Sequence, residues 1–135
     1  MVRDNCLCLH AQRAARALAR HFDEVFRPLG LTNFQFSLMM SLNRPNPPSM
    51  GAVASVLAMD RTTLTAALKP LQRRKLVRVR ASPKDKRVRL MELTAAGRAL
   101  LAKAVPIWVE AHREVEGQLQ EAAADRLRRD LIALS

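Results

Sequence analysis

The sequence predicts a mainly α-helical domain with one small β-hairpin, and three observations carry that expectation. Ala, Leu, Val and Met dominate the apolar residues while tyrosine is absent and other aromatics are few, a composition that favours helix. Apolar residues recur at three- and four-residue intervals along most of the chain. Strict alternation occurs only between Leu76 and Leu93. A length of 135 residues suits one folded unit, residues 1–135, rather than two independent ones.

From Cys6 to Phe26 the stripe Leu7, Ala11, Ala14, Leu18, Phe22, Val25 and Leu29 marks a long first helix that ends near Pro28 and Gly30. Thr32 and Gln35 have capping-box spacing, so a second helix containing Phe34, Leu38, Met39 and Leu42 follows and stops before Pro45. Asn43 to Pro48 reads as a loop. Ser49 caps a short third helix that buries Met50, Val53, Ala54 and Leu57, and Asp60 caps a fourth that starts at Arg61. Within the fourth helix Leu64, Leu68 and Leu71 form the inner face, which leaves Arg61, Thr62, Thr65, Lys69 and Arg73 elsewhere; Pro70 is expected to bend it.

Val77 and Val79 alternate with Arg78 and Arg80, and a second alternation runs from Val88 to Leu93, so two strands flank a turn at Ser82 to Lys86. Thr94 caps a long fifth helix with the stripe Leu100, Ala104, Ile107, Trp108, Ala111 and Val115. A last helix holds Ala123, Leu127, Leu131 and Leu134.

Charge is distributed unevenly. The formal net charge is +11, yet the segment from Arg61 to Arg89 alone holds eleven basic residues against the single acid Asp85, and the rest is close to neutral. A concentrated positive surface on a short helix, a turn, a second helix and a hairpin suits duplex DNA. The second of those helices would enter the major groove, where Arg bridges guanine O6 and N7 and Thr meets a thymine methyl, while the basic hairpin follows the backbone into the minor groove. A merely solvated charged face would not need that ordering, and a sequence-nonspecific packaging or RNA-binding protein would not need Thr62 and Thr65.

The segments Pro28-Leu-Gly-Leu-Thr32, Met59-Asp-Arg-Thr-Thr63, Leu71-Gln-Arg-Arg-Lys-Leu-Val77, Asp85-Lys-Arg87 and Leu93-Thr-Ala-Ala-Gly97, in this order, resemble the multiple antibiotic resistance regulator (MarR) family of winged helix-turn-helix proteins. The resemblance spans nearly the whole chain. It implies a homodimer whose first and last helices intertwine, residues 1–31 and 94–135 forming the dimer and 32–93 the DNA-binding lobe. It also implies a repressor acting on double-stranded DNA at a palindromic operator, with a small-molecule or oxidant signal. Arg61, Thr62, Thr63 and Thr65 fall where the family touches DNA and Arg87 falls at the wing tip; Lys69, Arg73, Lys84 and Lys86 complete the expected DNA-facing set. Asp85 matches a wing acid expected to hold a nearby Arg in place. Two positions depart from the family. Ala66 replaces a frequent Arg, and Lys75 replaces the Gly that ends the recognition helix in a left-handed turn, at a cost of about 1 kcal/mol.

The remaining chemistry is sparse. Cys6 and Cys8 are expected on one helix, rotated about 200° apart, hence free thiols rather than a disulfide. Cys8 is the redox candidate, because it falls where the peroxide-sensing branch of the family has its reactive thiol; that branch surrounds it with tyrosines, absent here. A small aromatic effector is expected in a crevice formed by His10, Phe34, Met40 and Trp108. His10, His21 and His112 have no metal-site spacing, so no metal or other cofactor is expected. No nucleophile–base pair or phosphate loop suggests an enzyme. The polar N-terminus and the lack of a long apolar run predict a cytoplasmic protein without membrane association.

Overall fold

The computed structural model describes residues 1–135. A single turn of helix, α1 (Val2–Asn5), precedes the long α2 (Leu7–Phe26), which closes in a 3₁₀ turn at Arg27–Leu29. The helices α3 (Asn33–Ser41), α4 (Met50–Val56) and α5 (Arg61–Arg73) follow. The strands β1 (Val77–Ala81) and β2 (Arg89–Leu93) pair before the 22-residue α6 (Ala95–Glu116) and the closing α7 (Ala123–Ala133).

Besides α2, four of these helices start where a side-chain oxygen accepts the first free amide protons. Thr32 and Gln35 form the reciprocal capping box of α3. Ser49 Oγ accepts from the amide of Ala52, Asp60 Oδ1 from that of Thr63 at 2.8 Å, and Thr94 Oγ1 from that of Gly97 at 3.0 Å. Gly30, at φ +66°, ends the 3₁₀ turn in the left-handed conformation that glycine adopts without steric penalty.

The core is a single cluster without any buried polar or charged side chain. It joins Phe22 and Phe26 of α2, Phe36, Leu38 and Met39 of α3, Leu64, Leu68 and Leu71 of α5, Met91 and Leu93 of β2, and Leu101 and Ala104 of α6. The hairpin is antiparallel in the register Val77 to Leu93 through Ala81 to Arg89. The Met91 amide also donates to the Pro48 carbonyl at 2.9 Å, which ties the hairpin to the loop before α4.

Two sequence expectations need correction. Cys6 is not helical: at φ −79° and ψ 106° it is the N-cap of α2, its Sγ accepting from the Leu9 amide, so the 200° separation from Cys8 does not apply. In α6 the buried positions are Gly97, Leu101, Ala104 and Ala111, whereas Leu100 is only half-buried and Ile107 is exposed. The inner stripe is therefore displaced by one residue in the first turns. Pro70 lies within α5, which runs on to Arg73. Its missing N–H leaves the Ala66 carbonyl without the usual helical donor.

In the protomer several apolar side chains remain in the open. Leu7 and Leu18 of α2, Ile107 and Val109 of α6, and Leu127, Leu131 and Ile132 of α7 are all exposed, and α7 buries no residue at all. No helix is long and apolar enough to cross a membrane.

Candidate nucleic-acid interface

The helix-turn-helix is built by α4, the turn Leu57–Asp60 and α5. Ala58 takes a left-handed conformation at φ 51° to turn the chain, and Asp60 then fixes where α5 begins. Both oxygens of Asp60 are engaged by Thr63: Oδ1 accepts its amide and Oδ2 its hydroxyl, each at 2.8 Å. These bonds hold the Asp60 carboxyl below its ordinary pKa, the Thr63 amide contributing most. The negative cap is thus stable at neutral pH, yet its acceptors are occupied. Thr63, expected among the DNA-facing residues, is committed to this cap through its hydroxyl proton.

With Leu64, Leu68 and Leu71 pinned in the core, Thr62, Thr65, Lys69 and Arg73 stand on the outer faces of α5, and Arg61, at its first position, is exposed as well. Thr65 donates its hydroxyl to the Arg61 carbonyl at 2.8 Å. Arg61, Lys69 and Arg73 form no ion pair within the chain, so their charge is free for an external anion.

The wing tip follows its expected logic. Asp85 accepts from the Arg87 amide at 3.0 Å and from its guanidinium Nε and Nη2 at 3.2 Å each. That guanidinium lowers the Asp85 pKa and prevents the acid from standing bare before a phosphate. Arg87 remains 91% exposed, and Lys84, Lys86 and Arg89 beside it have no acidic partner.

Not all of the positive segment is free. Glu92, three residues past the counted stretch, lies across the hairpin and pairs with Arg78 and Arg80, its Oε1 accepting from Arg78 Nε at 2.8 Å and from Arg80 Nε at 3.3 Å. The Arg78 guanidinium is the main cause of a lowered Glu92 pKa. Arg74 points back to the carbonyls of Leu29 and Gly30. The cross-strand pair Arg78–Glu92 was recoverable from the sequence by counting register outward from the turn; the reach of Arg74 across 44 residues was not.

The expected effector crevice is only half assembled. Met40 and Trp108 do line one cleft of about 490 Å³, together with Phe36, Ser37, Ser41, Val56, Leu57 and Val105. His10 is remote from it, bordering a basic groove with Arg13, Arg16 and Arg20 on α2, and Phe34 packs half-buried against the core without lining the cleft. Sequence reasoning missed an aromatic series: Phe26 stacks on Phe36 at 4.5 Å, Phe36 on Trp108 at 6.3 Å and Trp108 on His112 at 4.4 Å. His112 in turn faces Glu116 at 3.5 Å, one helical turn away. No cluster of three His, Cys, Asp or Glu side chains could hold a metal. Cys8 is exposed, Gln12 Nε2 donating to its Sγ at 3.1 Å.

Comparison with known proteins places this geometry. The MarR family profile matches residues 31–88, the stretch that contains the helix-turn-helix, the first strand of the wing and its turn. The transcriptional regulator MosR of M. tuberculosis, solved in complex with DNA, superposes with a TM-score of 0.87 at 41% identity, over 96% of this chain and 93% of that one. The chain belongs to the MarR family. The HTH-type transcriptional repressor NicR of Pseudomonas putida is 33% identical over 76 residues, which are 56% of this chain and 48% of NicR; the match thus spans about half of that relative. The transcriptional regulator HosA of Escherichia coli O111:H- is 36% identical over 91 residues, 66% of each chain. These MarR-family relatives are transcriptional regulators and not enzymes.

Because Arg87 is both held by Asp85 and almost fully exposed, Arg87→Ala is expected to weaken binding to any duplex. The dependence of log affinity on log salt should flatten by about one unit per bound wing. Fluorescence anisotropy across a salt series checks this, and an unchanged slope would remove Arg87 from the DNA contact.

Proposed function

We propose that this MarR-family chain is a homodimeric repressor that reads a palindromic operator in double-stranded DNA and leaves it when a small aromatic ligand binds. The observation that carries the reading is the face of α5. Arg61 and Thr62 stand exposed at its N-terminal end, where recognition helices meet base edges, with Thr65 one turn on, while Lys69 and Arg73 follow as unpaired charges suited to phosphates. Residues 32–93 form the reading lobe under this proposal. Residues 1–31 and 94–135 form the dimer, supported by the exposed apolar faces of α2, α6 and α7. Two lobes related by a two-fold axis would match the two halves of a palindrome. Such a protein works in the cytoplasm.

The ligand reading rests on the cleft's position. Its walls are α3, the C-terminal end of α4 at Val56 and Leu57, and α6 at Val105 and Trp108. An apolar ring seated there would contact both α6 and the helix that leads into the recognition helix, and so shift the spacing of the two lobes.

Arg61→Ala is expected to cost roughly 1–3 kcal/mol on the cognate duplex and much less on unrelated DNA, shrinking the ratio of specific to nonspecific affinity. Lys69→Ala should lower both together. Competition between a selected palindrome and its scrambled version at one salt concentration measures the ratio, and an unchanged ratio for Arg61→Ala would mean that the helix does not read sequence.

A second signal is favoured by one observation: Cys8 is a free cysteine and is exposed on α2 in the single chain. If the thiol is the sensor, peroxide lowers operator affinity in the native protein and leaves it intact in Cys8→Ser. Equal binding before and after peroxide in the native protein leaves ligand control alone.

A further inference from the structure

We propose that Arg74 is a positioning residue, a latch that fixes the recognition helix relative to α2, and not one of the phosphate contacts that its place in the basic segment suggests. The proposal rests on the reading above of α5 as the sequence-reading helix and of α2 as part of the dimer.

Arg74 is the C-cap of α5. The next residue, Lys75, takes a left-handed conformation at φ 57°, which turns the chain sharply away from the helix axis. From this corner the guanidinium reaches back to the end of α2: Nη1 donates to the Gly30 carbonyl at 2.6 Å and Nη2 to that of Leu29 at 3.4 Å. Those carbonyls belong to the 3₁₀ turn that closes α2, where the last helical carbonyls have no amide partner and the helix dipole is negative. A planar, permanently charged fork suits two adjacent carbonyls better than an ammonium would. No carboxylate competes, since Arg74 takes part in no ion pair.

The fit is close on both sides. A Cβ at Gly30 would stand 3.4 Å from Arg74 Nη2, in van der Waals contact with the guanidinium, and the left-handed φ of +66° is what calls for glycine there. The 13 residues of α5 set Arg74 about 20 Å along the helix from Arg61, at the opposite end from the base-reading residues. A latch at that end governs the angle of the helix, and in a dimer the angle sets the distance between the two reading ends.

Two engagements of one dimer with one palindrome reinforce each other only while that distance matches the half-site spacing. The native protein, Arg74→Ala and Arg74→Lys are therefore compared on a palindromic duplex selected by the native protein from a random pool and on a duplex carrying one half-site, across a salt series. For Arg74→Ala the expected loss is on the order of tenfold on the palindrome and under about twofold on the half-site, with the salt slope unchanged. Arg74→Lys keeps the charge without the fork and should fall between the two. Equal losses on both duplexes, with a slope lower by about 0.9 for each Arg74 bound, would make it a phosphate contact and overturn the proposal. Native-like binding by Arg74→Ala would overturn it as well. Should thermal unfolding show that Arg74→Ala does not fold, Arg74→Lys decides: full palindrome affinity contradicts the latch. Failure of the native protein to select any sequence from the pool would instead remove the reading on which the latch rests.

Discussion

The structure depends on the contact between the start of α6 and the end of the recognition helix. Gly97, in the first turn of α6, lies so close to the chain after α5 that a Cβ on it would fall 2.1 Å from the Leu76 carbonyl oxygen. Thr94 completes the junction. Its hydroxyl donates to the Lys75 carbonyl at 2.6 Å, its amide donates to the Leu76 carbonyl at 3.0 Å, and its Oγ1 still accepts the Gly97 amide. One threonine and one glycine thus cap α6 and hold the corner at which α5 becomes β1. Because Lys75 sits there in a left-handed conformation that ordinarily favours glycine, the corner is maintained by these bonds against an intrinsic cost of about 1 kcal/mol.

That junction, with Arg74 on the other flank, ties the orientation of α5 to α2 and α6. The apolar cleft at Met40 and Trp108 opens beside α6 as well. A ligand at the cleft and DNA at α5 would therefore act on the same packed elements, which is the physical requirement for coupling between two sites. Electrostatics follows the same separation of roles. Asp85 holds Arg87 and Glu92 holds Arg78 and Arg80 within the hairpin, while the unpaired charges at Arg61, Lys69, Arg73, Lys84, Lys86 and Arg89 are left on the outer surface.

What was legible in the sequence was what depends on local spacing. Caps at Thr32, Ser49, Asp60 and Thr94 and the inner leucines of α5 follow from spacing within a few residues, whereas the left-handed turn at Lys75 was legible only through the family resemblance. What was not legible depends on distant partners or on small shifts in phase. The inner face of α6 starts at Gly97 and Leu101 because Gly97 must meet Leu76, so the stripe that begins at Leu100 is displaced. His10 and Phe34 were grouped with Trp108 by residue type, but α2 carries His10 on a face remote from the cleft. A count of charges by segment includes Arg74 and omits Glu92, although the fold spends the first on carbonyls and uses the second to hold two arginines.

The most direct test is the unfolding free energy of Gly97→Ala, measured by urea denaturation. In an unconstrained helix this change stabilises by about 1 kcal/mol, because alanine is the better helix former. Here the added methyl group meets a backbone carbonyl, so a loss of about 3 kcal/mol is expected as the two segments are forced apart. Unchanged or increased stability would mean that α6 and the end of the recognition helix are not held at this distance, and the account of how the reading face is positioned would be wrong.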